Sequence, residues 1–224
     1  MKSQKTIART FGAFFLLAFL SYGLGTGLTG SVTDAADALR NIETNKAQLV
    51  FGVVLMALVH TVVNIGLPVL MLPILKAYNK ILSYAYLSAG ITATVVVIVG
   101  SIFLLLYIPL ASMYTTADAR ELAQFEIVAT LLTKGNFYAY QIGMAIWGFG
   151  GLMFCYLLYI SKLVPGAFSI WGFLGYMIFI AGTIFELFGY PIGVQLALPG
   201  GLFEISLSIW LIIKGFKESE LILS

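Results

Sequence analysis

Long apolar stretches separated by shorter polar segments form the dominant pattern of this chain. A helix needs about 20 apolar residues to cross the hydrocarbon core of a bilayer. Six stretches meet this length, and they predict an all-α fold, a bundle of six transmembrane helices. The predicted spans are residues 7–28, 49–75, 81–110, 137–161, 167–189 and 199–216.

Proline and glycine residues refine this picture. Pro68 and Pro73 predict a bend in the second span, which is too long to cross a bilayer upright. Pro199 predicts the first turn of the last helix, where a missing N–H is tolerated. Glycines in the fourth and fifth spans predict close helix contacts, because small residues let backbones approach. These glycines are Gly148, Gly150, Gly151, Gly172 and Gly175.

Two of the polar segments between the spans are long and carry a helical pattern of their own. In residues 34–46 apolar residues recur at helical spacing behind Thr33, which is a suitable N-cap. In residues 117–134 the same spacing recurs, and Gly135 follows as a typical helix stop. We predict two amphipathic helices on the outer face of the membrane. Solvated loops are the alternative.

Basic residues are distributed unevenly between the two sets of helix ends. Cytoplasmic ends of membrane helices carry an excess of lysine and arginine. Eight such residues belong to one set and four to the other, so both termini are predicted to be cytoplasmic. The first set is Lys2, Lys5, Arg9, Lys76, Lys80, Lys162, Lys214 and Lys217, and the second is Arg40, Lys46, Arg120 and Lys134.

The composition excludes several classes of protein. With 60% hydrophobic and 10% charged residues and a mean hydropathy of +1.00, the chain cannot cover its apolar surface as a soluble domain. We therefore predict one integral membrane domain over residues 1–224. A single cysteine and a single histidine exclude an intrachain disulfide and a haem with two histidine ligands from this chain. We predict no catalytic residues, no metal site and no cofactor.

Two carboxylates interrupt the apolar spans, Glu186 and Glu204. A charged side chain costs about 2.5–3.5 kcal/mol at the centre of an inserted helix, so such residues often serve function. With Pro199 in the first turn, Glu204 would lie near the positive end of the last helix dipole. His60 and Asn64 lie one turn apart in the same half of the membrane. We predict that Glu204, His60, Asn64 and Glu186 bind a ligand in an outward-facing polar cavity.

Structural roles for these residues remain open alternatives. Glu204 is then a protonated acid that is hydrogen-bonded inside the bundle. Glu186 would reach the outer headgroups, and His60 would be a core histidine. In either role, we expect Glu204 to point into the bundle and to contact a polar side chain of span two or span five.

Several motifs in the C-terminal half resemble a bacterial family of small polytopic membrane proteins, domain of unknown function family 4386. These are Tyr156-Leu157-Leu158-Tyr159, Ser161-Lys162-Leu163-Val164-Pro165, Phe203-Glu204, Trp210-Leu211 and Lys214-Gly215-Phe216. The resemblance implies a six-span bacterial membrane protein and draws attention to Glu204, but it implies no reaction. Members often carry an arginine and a glutamate at the start of the third span. Here residues 87–92 have no charge, so no role of that pair is carried over.

These observations lead to two hypotheses of different classes. The first is a multi-pass protein of the bacterial inner membrane that binds or passes a small ligand through the outward-facing cavity. The alternative is a non-catalytic accessory subunit that packs against a larger membrane complex. Membrane lipids are the expected partners, with other membrane protein subunits in the alternative and no nucleic acid in either. An intramembrane enzyme ranks last, because no nucleophile or metal set can be assembled.

Overall fold

The structure, a computed structural model, describes residues 2–35 and 37–217. Met1, Ala36 and residues 218–224 lie outside the described residues. The regular elements of the described part are all helical, so the all-α prediction is confirmed. A π-helical turn, Leu55–Val59, separates α3 from α4. The α-helices are α1 (Lys2–Thr33), α2 (Ala38–Thr44), α3 (Lys46–Val54), α4 (His60–Leu75), α5 (Lys80–Leu105), α6 (Tyr107–Thr116), α7 (Leu122–Ser161), α8 (Gly166–Leu187) and α9 (Gly193–Ile213).

Six helical stretches in the described part are long and apolar enough to cross a membrane, as predicted. The chain is therefore a multi-pass membrane protein. The longest helix, α7, has 40 residues, which corresponds to about 60 Å at 1.5 Å per residue. A hydrocarbon core is about 30 Å thick, so part of α7 must lie outside it. The six stretches are Gln4–Thr33, Lys46–Leu75, Lys80–Thr116, Leu122–Ser161, Gly166–Leu187 and Gly193–Ile213.

The second and third spans each contain an irregular point that the sequence did not predict, and the bend at Pro68 and Pro73 stays a prediction. Helix α4 runs through both Pro68 and Pro73, and the irregular backbone is the π turn before it. The third span breaks at Leu106, between α5 and α6. Pro109 explains this break, because it has no N–H to donate to the carbonyl of Leu105.

The first polar segment is helical, as predicted, but its cap differs. Thr33 is the last residue of α1 and does not cap α2. Asp37 takes that role, since its side chain accepts a hydrogen bond from the backbone N–H of Arg40 at 3.4 Å. The apolar residues Leu39 and Ile42 of α2 are buried in one cluster with Tyr107 of α6. This helix therefore buries its apolar side against protein.

The second polar segment is helical from Leu122, but the predicted helix end at Lys134 is wrong. Helix α7 continues through Gly135 to Ser161 without interruption. A Cβ atom at Gly135 would approach the ring of Phe103 in α5 to 2.8 Å. Gly135 therefore serves close packing of two helices and not the left-handed turn of a helix stop.

Contacts within the described chain divide it into two compact units. The first unit comprises the described residues of Met1–Ala18, Val62–Thr94 and Gln141–Ser224. The second comprises the described residues of Phe19–Thr61 and Val95–Tyr140. The single domain over residues 1–224 stays a prediction.

Aromatic rings and glycines build the core of the first unit. Phe11 packs edge-on against Phe15, with ring centroids 5.2 Å apart. Gly151 faces the ring of Tyr176, and Gly172 faces Phe203, at places where a Cβ atom would collide with these rings. The prediction that glycines of spans four and five allow close contacts is confirmed.

Candidate functional site

Glu204 is buried inside the first unit, with 8% of its surface exposed. Its Oε1 atom accepts a hydrogen bond from the hydroxyl of Tyr176 in α8 at 2.5 Å. The same oxygen accepts a second hydrogen bond from Nε1 of Trp147 in α7 at 3.3 Å. Tyr176 lies in span five, so the predicted contact with a polar residue of span two or five is confirmed.

Close packing of α8 and α9 positions this contact. A Cβ atom at Gly175 would lie 3.0 Å from Cα of Gly200, so a side chain there would require the two backbones to move slightly apart. Tyr176 follows Gly175 directly and reaches Glu204 across this contact. The small residues thus bring the two backbones together, and the tyrosine and glutamate meet beside them.

The predicted position of Pro199 in the first turn is wrong, and the dipole argument for Glu204 fails with it. Helix α9 begins at Gly193 and contains Pro199 in its interior. Glu204 is therefore about 16 Å from the start of the helix at 1.5 Å per residue. A helix dipole acts mainly within the first turn. Hydrogen bonds from Tyr176 and Trp147, and not the dipole, support the buried carboxyl group.

Tyr86 in α5 adds a further polar group near Glu204. Tyr86 is 2% exposed, and its hydroxyl has no hydrogen-bond partner among the described residues. Its ring stacks on Phe154 with centroids 5.1 Å apart. Tyr86 belongs to the same buried cluster as Trp147 and Tyr176, the two hydrogen-bond donors to Glu204. We call Glu204, Tyr176, Trp147 and Tyr86 the Glu204 cluster.

Sequence reasoning missed the three aromatic members of this cluster. Tyrosine and tryptophan usually ring the membrane interface, so such residues deep inside an apolar span are out of place. A buried tyrosine or tryptophan also needs a partner for its polar atom. Applied to Tyr176 and Trp147, these two rules could have indicated that each needs a buried hydrogen-bond acceptor.

Asn64 is buried in the first unit and joins two helices. Its Nδ2 atom donates to Oγ1 of Thr94 at 2.9 Å, and this hydroxyl donates to the carbonyl of Gly90 at 2.8 Å. Asn64 is 4% exposed, and Thr94 is 1% exposed. The amide therefore forms an inter-helical hydrogen bond between α4 and α5.

His60 belongs to the second unit, where it is 7% exposed. It is the first residue after the π turn, and its backbone N–H bonds the carbonyl of Leu55. Its ring lies 5.1 Å from the ring of Tyr22, which stacks on Tyr140 at 5.5 Å. Isolated π turns are frequent at functional sites. The sequence Leu55–Val59 contains no proline or glycine, so the turn could not be predicted.

Glu186 is half-buried near the end of α8 and holds the start of α9. Its Oε1 atom accepts a hydrogen bond from the backbone N–H of Gly193 at 2.7 Å. The first N–H groups of a helix have no partner within the helix, and an acidic group there is stabilised by the dipole. The sequence suggested that Glu204 is the acidic group near the positive end of the last helix dipole. In the structure that group is Glu186.

We expect Glu186→Ala to lower the free energy of unfolding by about 0.5–2 kcal/mol, the usual effect of removing a helix cap. Glu186→Gln retains an oxygen acceptor, so its effect should stay below about 0.5 kcal/mol. Thermal unfolding of both variants in detergent, followed by circular dichroism, measures the difference. An alanine variant as stable as the glutamine variant would show that Glu186 does not hold α9.

The four predicted ligand-binding residues thus have different settings. Glu204, Asn64 and Glu186 each bond separate partners within the first unit. His60 lies beside tyrosines of the second unit. Their role in ligand binding stays a prediction. In residues 2–35 and 37–217, no group of three or more His, Cys, Asp or Glu side chains is placed to hold a metal ion.

Comparisons with known proteins address the family of the chain. No curated protein and no solved structure matched it. One family profile covers nearly the whole chain, including all six apolar helices at least in large part and the Phe203-Glu204 motif. The chain belongs to the family described as Domain of unknown function (DUF4386), whose profile matches residues 10–215.

Proposed function

We propose that this chain is a bacterial inner-membrane protein that binds a proton or a small cation at Glu204. The observation that supports this proposal is the uneven hydrogen bonding of its carboxyl group. Oε1 accepts from both Tyr176 and Trp147, whereas Oε2 has no donor among the described residues. The second oxygen is therefore available to a ligand.

The position of Glu204 inside an apolar span favours an occupant at this oxygen. Glu204 is 8% exposed and lies in α9, one of the six apolar stretches. An ionised carboxylate inside a membrane span is costly unless a partner neutralises it. The hydroxyl of Tyr86 has no hydrogen-bond partner among the described residues, and Tyr86 shares one buried cluster with Trp147 and Tyr176. A proton or a small cation bound at Oε2 would neutralise the carboxylate.

A purely structural acid would have the same two hydrogen bonds at Oε1. It would differ in proton exchange, because a protonated acid that is closed off from water does not change its protonation when the pH of the solution changes. Infrared difference spectroscopy separates the two roles, since a carboxylic acid and a carboxylate have distinct C=O stretching bands. The proposal requires that Glu204 change between these forms when the pH or the cation concentration changes.

We expect the wild-type protein in lipid nanodiscs to show a carboxyl band that appears and disappears with pH. Glu204→Gln should remove this band, because the amide cannot ionise. Glu186→Gln is the matched control and should retain it, since that carboxylate lies outside the Glu204 cluster. A spectrum in which no band depends on Glu204 at any pH that preserves the fold would contradict the proposal.

A further inference from the structure

The second unit contains a polar pocket of about 450 Å³. It lies where the end of α1 and the start of α2 meet α6 and the first half of α7. Pockets for small molecules usually measure about 300–1,000 Å³, whereas one water molecule occupies about 30 Å³. The pocket therefore has room for a small organic molecule. Its chemistry is set by Asp37, Tyr107, Tyr114, Glu126, Thr130 and Thr133.

The charge of the pocket lining is negative. Asp37 and Glu126 contribute carboxylates, and no lysine, arginine or histidine is among the lining residues. Arg40 approaches Asp37 from outside the lining, with 3.5 Å between Nε and Oδ2. The two side chains of this pair are 67% and 49% exposed. Exposed pairs of this kind contribute little stability, so a ligand can compete with Arg40.

The hydroxyl groups of the lining act mainly as acceptors towards a ligand. Tyr107 donates its proton to the carbonyl of Ala129 at 2.7 Å and also contacts Thr133. Thr130 donates to the carbonyl of Glu126 at 2.9 Å. Thr133 can donate to Ala129 at 3.1 Å. These three hydroxyls have committed their single protons and retain lone pairs that can accept from a ligand.

Tyr114 supplies an independent sign of a missing partner. It lines the pocket and is 8% exposed. Its ring packs edge-on against Phe125, and no hydrogen bond of its hydroxyl occurs among the residues that the structure describes. A ligand in the pocket would provide that partner.

We propose that this pocket binds a small organic amine in its ammonium form. An ammonium group carries a positive charge and several N–H donors, which match two carboxylates and a wall of acceptors. An anion would meet like charge and no free cation. A bare metal ion would leave most of the volume unfilled, and the described side chains form no cluster of three metal ligands.

Putrescine, a diamine with two ammonium groups, is the probe for this proposal. Isothermal titration of the full-length protein in phosphatidylcholine nanodiscs should show binding of putrescine but not of 1,4-butanediol, which has the same chain without charge. Phosphatidylcholine has no N–H donor, so the lipid cannot occupy the pocket as a primary ammonium.

Two isosteric variants remove one negative charge each. Asp37→Asn should weaken putrescine binding at least about tenfold, while the asparagine still caps α2. Glu126→Gln should weaken it similarly, and its exposed position makes the change harmless to folding. Glu121→Gln is the matched control, because Glu121 is exposed just before α7 and does not line the pocket. Its affinity for putrescine should remain unchanged.

Arg40→Gln provides a test in the opposite direction. It removes the cation that competes for Asp37, so putrescine should bind more tightly than to the wild type. A gain of affinity cannot come from a damaged fold, so this variant tests the role of the Asp37 carboxylate independently of folding.

The ammonium group could belong to a free amine or to a phosphatidylethanolamine headgroup. Nanodiscs with phosphatidylethanolamine separate these sources. If this lipid blocks putrescine in the wild type, the headgroup is the natural occupant, and if putrescine still binds, a free amine is. The proposal would be overturned if neither putrescine nor phosphatidylethanolamine bound. It would also be overturned if Asp37→Asn, Glu126→Gln and the wild type had equal affinities for putrescine.

Discussion

Glu204→Leu should lower the free energy of unfolding by about 2–4 kcal/mol, while Glu204→Gln should change it by less than about 1 kcal/mol. Leucine fills much of the same volume but accepts no hydrogen bond. The hydroxyl of Tyr176 and the indole N–H of Trp147 would then lose their acceptor in a buried setting. Each orphaned donor costs about 1–3 kcal/mol, and removal of the carboxyl group recovers part of that loss. Glutamine retains an oxygen where both donors point.

The measurement is thermal unfolding in detergent, followed by circular dichroism, with a double-mutant cycle. Tyr176→Phe removes one of the two donors and serves as the partner variant. If the loss in Glu204→Leu arises from orphaned donors, the double variant should recover stability relative to Glu204→Leu alone. Equal unfolding midpoints for the leucine and glutamine variants would show that the hydrogen bonds of Glu204 do not stabilise the fold.

The six spans were predictable because their signal is local. A run of about 20 apolar residues leaves the backbone no stable choice in a bilayer except a helix. The ends of the helices were less predictable, because the same residue type can serve opposite purposes. Gly135 has the features of a helix stop, yet the ring of Phe103 occupies the space that a side chain would need. Only the packing of α5 against α7 decides between these uses.

The candidate site shows the same division between local and non-local information. Glu204 stood out because one carboxylate inside an apolar span is conspicuous. Its partners Tyr176 and Trp147 did not, since aromatic residues are common in membrane helices and nothing local assigns them a contact. The start of α9 was placed at Pro199, but a proline is tolerated within this helix. Because of that error, Glu204 instead of Glu186 was placed near the start of α9.

The polar pocket of the second unit was not predictable for a different reason. Its carboxylates, Asp37 and Glu126, lie in two polar segments far apart in sequence, and each reads as part of a solvated face. The apolar sides of the same segments pair with each other, through Leu39 of α2 and Leu132 of α7 in one buried cluster. This packing brings the polar sides to a common pocket. The apolar sides of two amphipathic segments can thus pack against each other within the protein, as well as against a membrane surface.

Impermeant thiol labelling of intact cells should modify a cysteine at Thr44 and should not modify one at Ala77. The expectation rests on the excess of basic residues, which predicts that both termini lie in the cytoplasm. Thr44 ends α2 in the first polar segment, and Ala77 lies in the short turn between α4 and α5. Both residues are exposed, so access is limited by the membrane and not by burial. Asn79 is less suitable than Ala77, because its side chain caps α5 through the N–H of Leu82.

The background for this experiment is Cys155→Ala, which removes the single natural cysteine. That residue is buried, so the substitution leaves the surface unchanged. After permeabilisation of the cells, both engineered cysteines should react to a similar extent, which proves that each is chemically accessible. Labelling at Ala77 but not at Thr44 in intact cells would reverse the orientation. The pocket lined by Asp37 and Glu126 would then face the cytoplasm, and the amine that it binds would have to come from inside the cell.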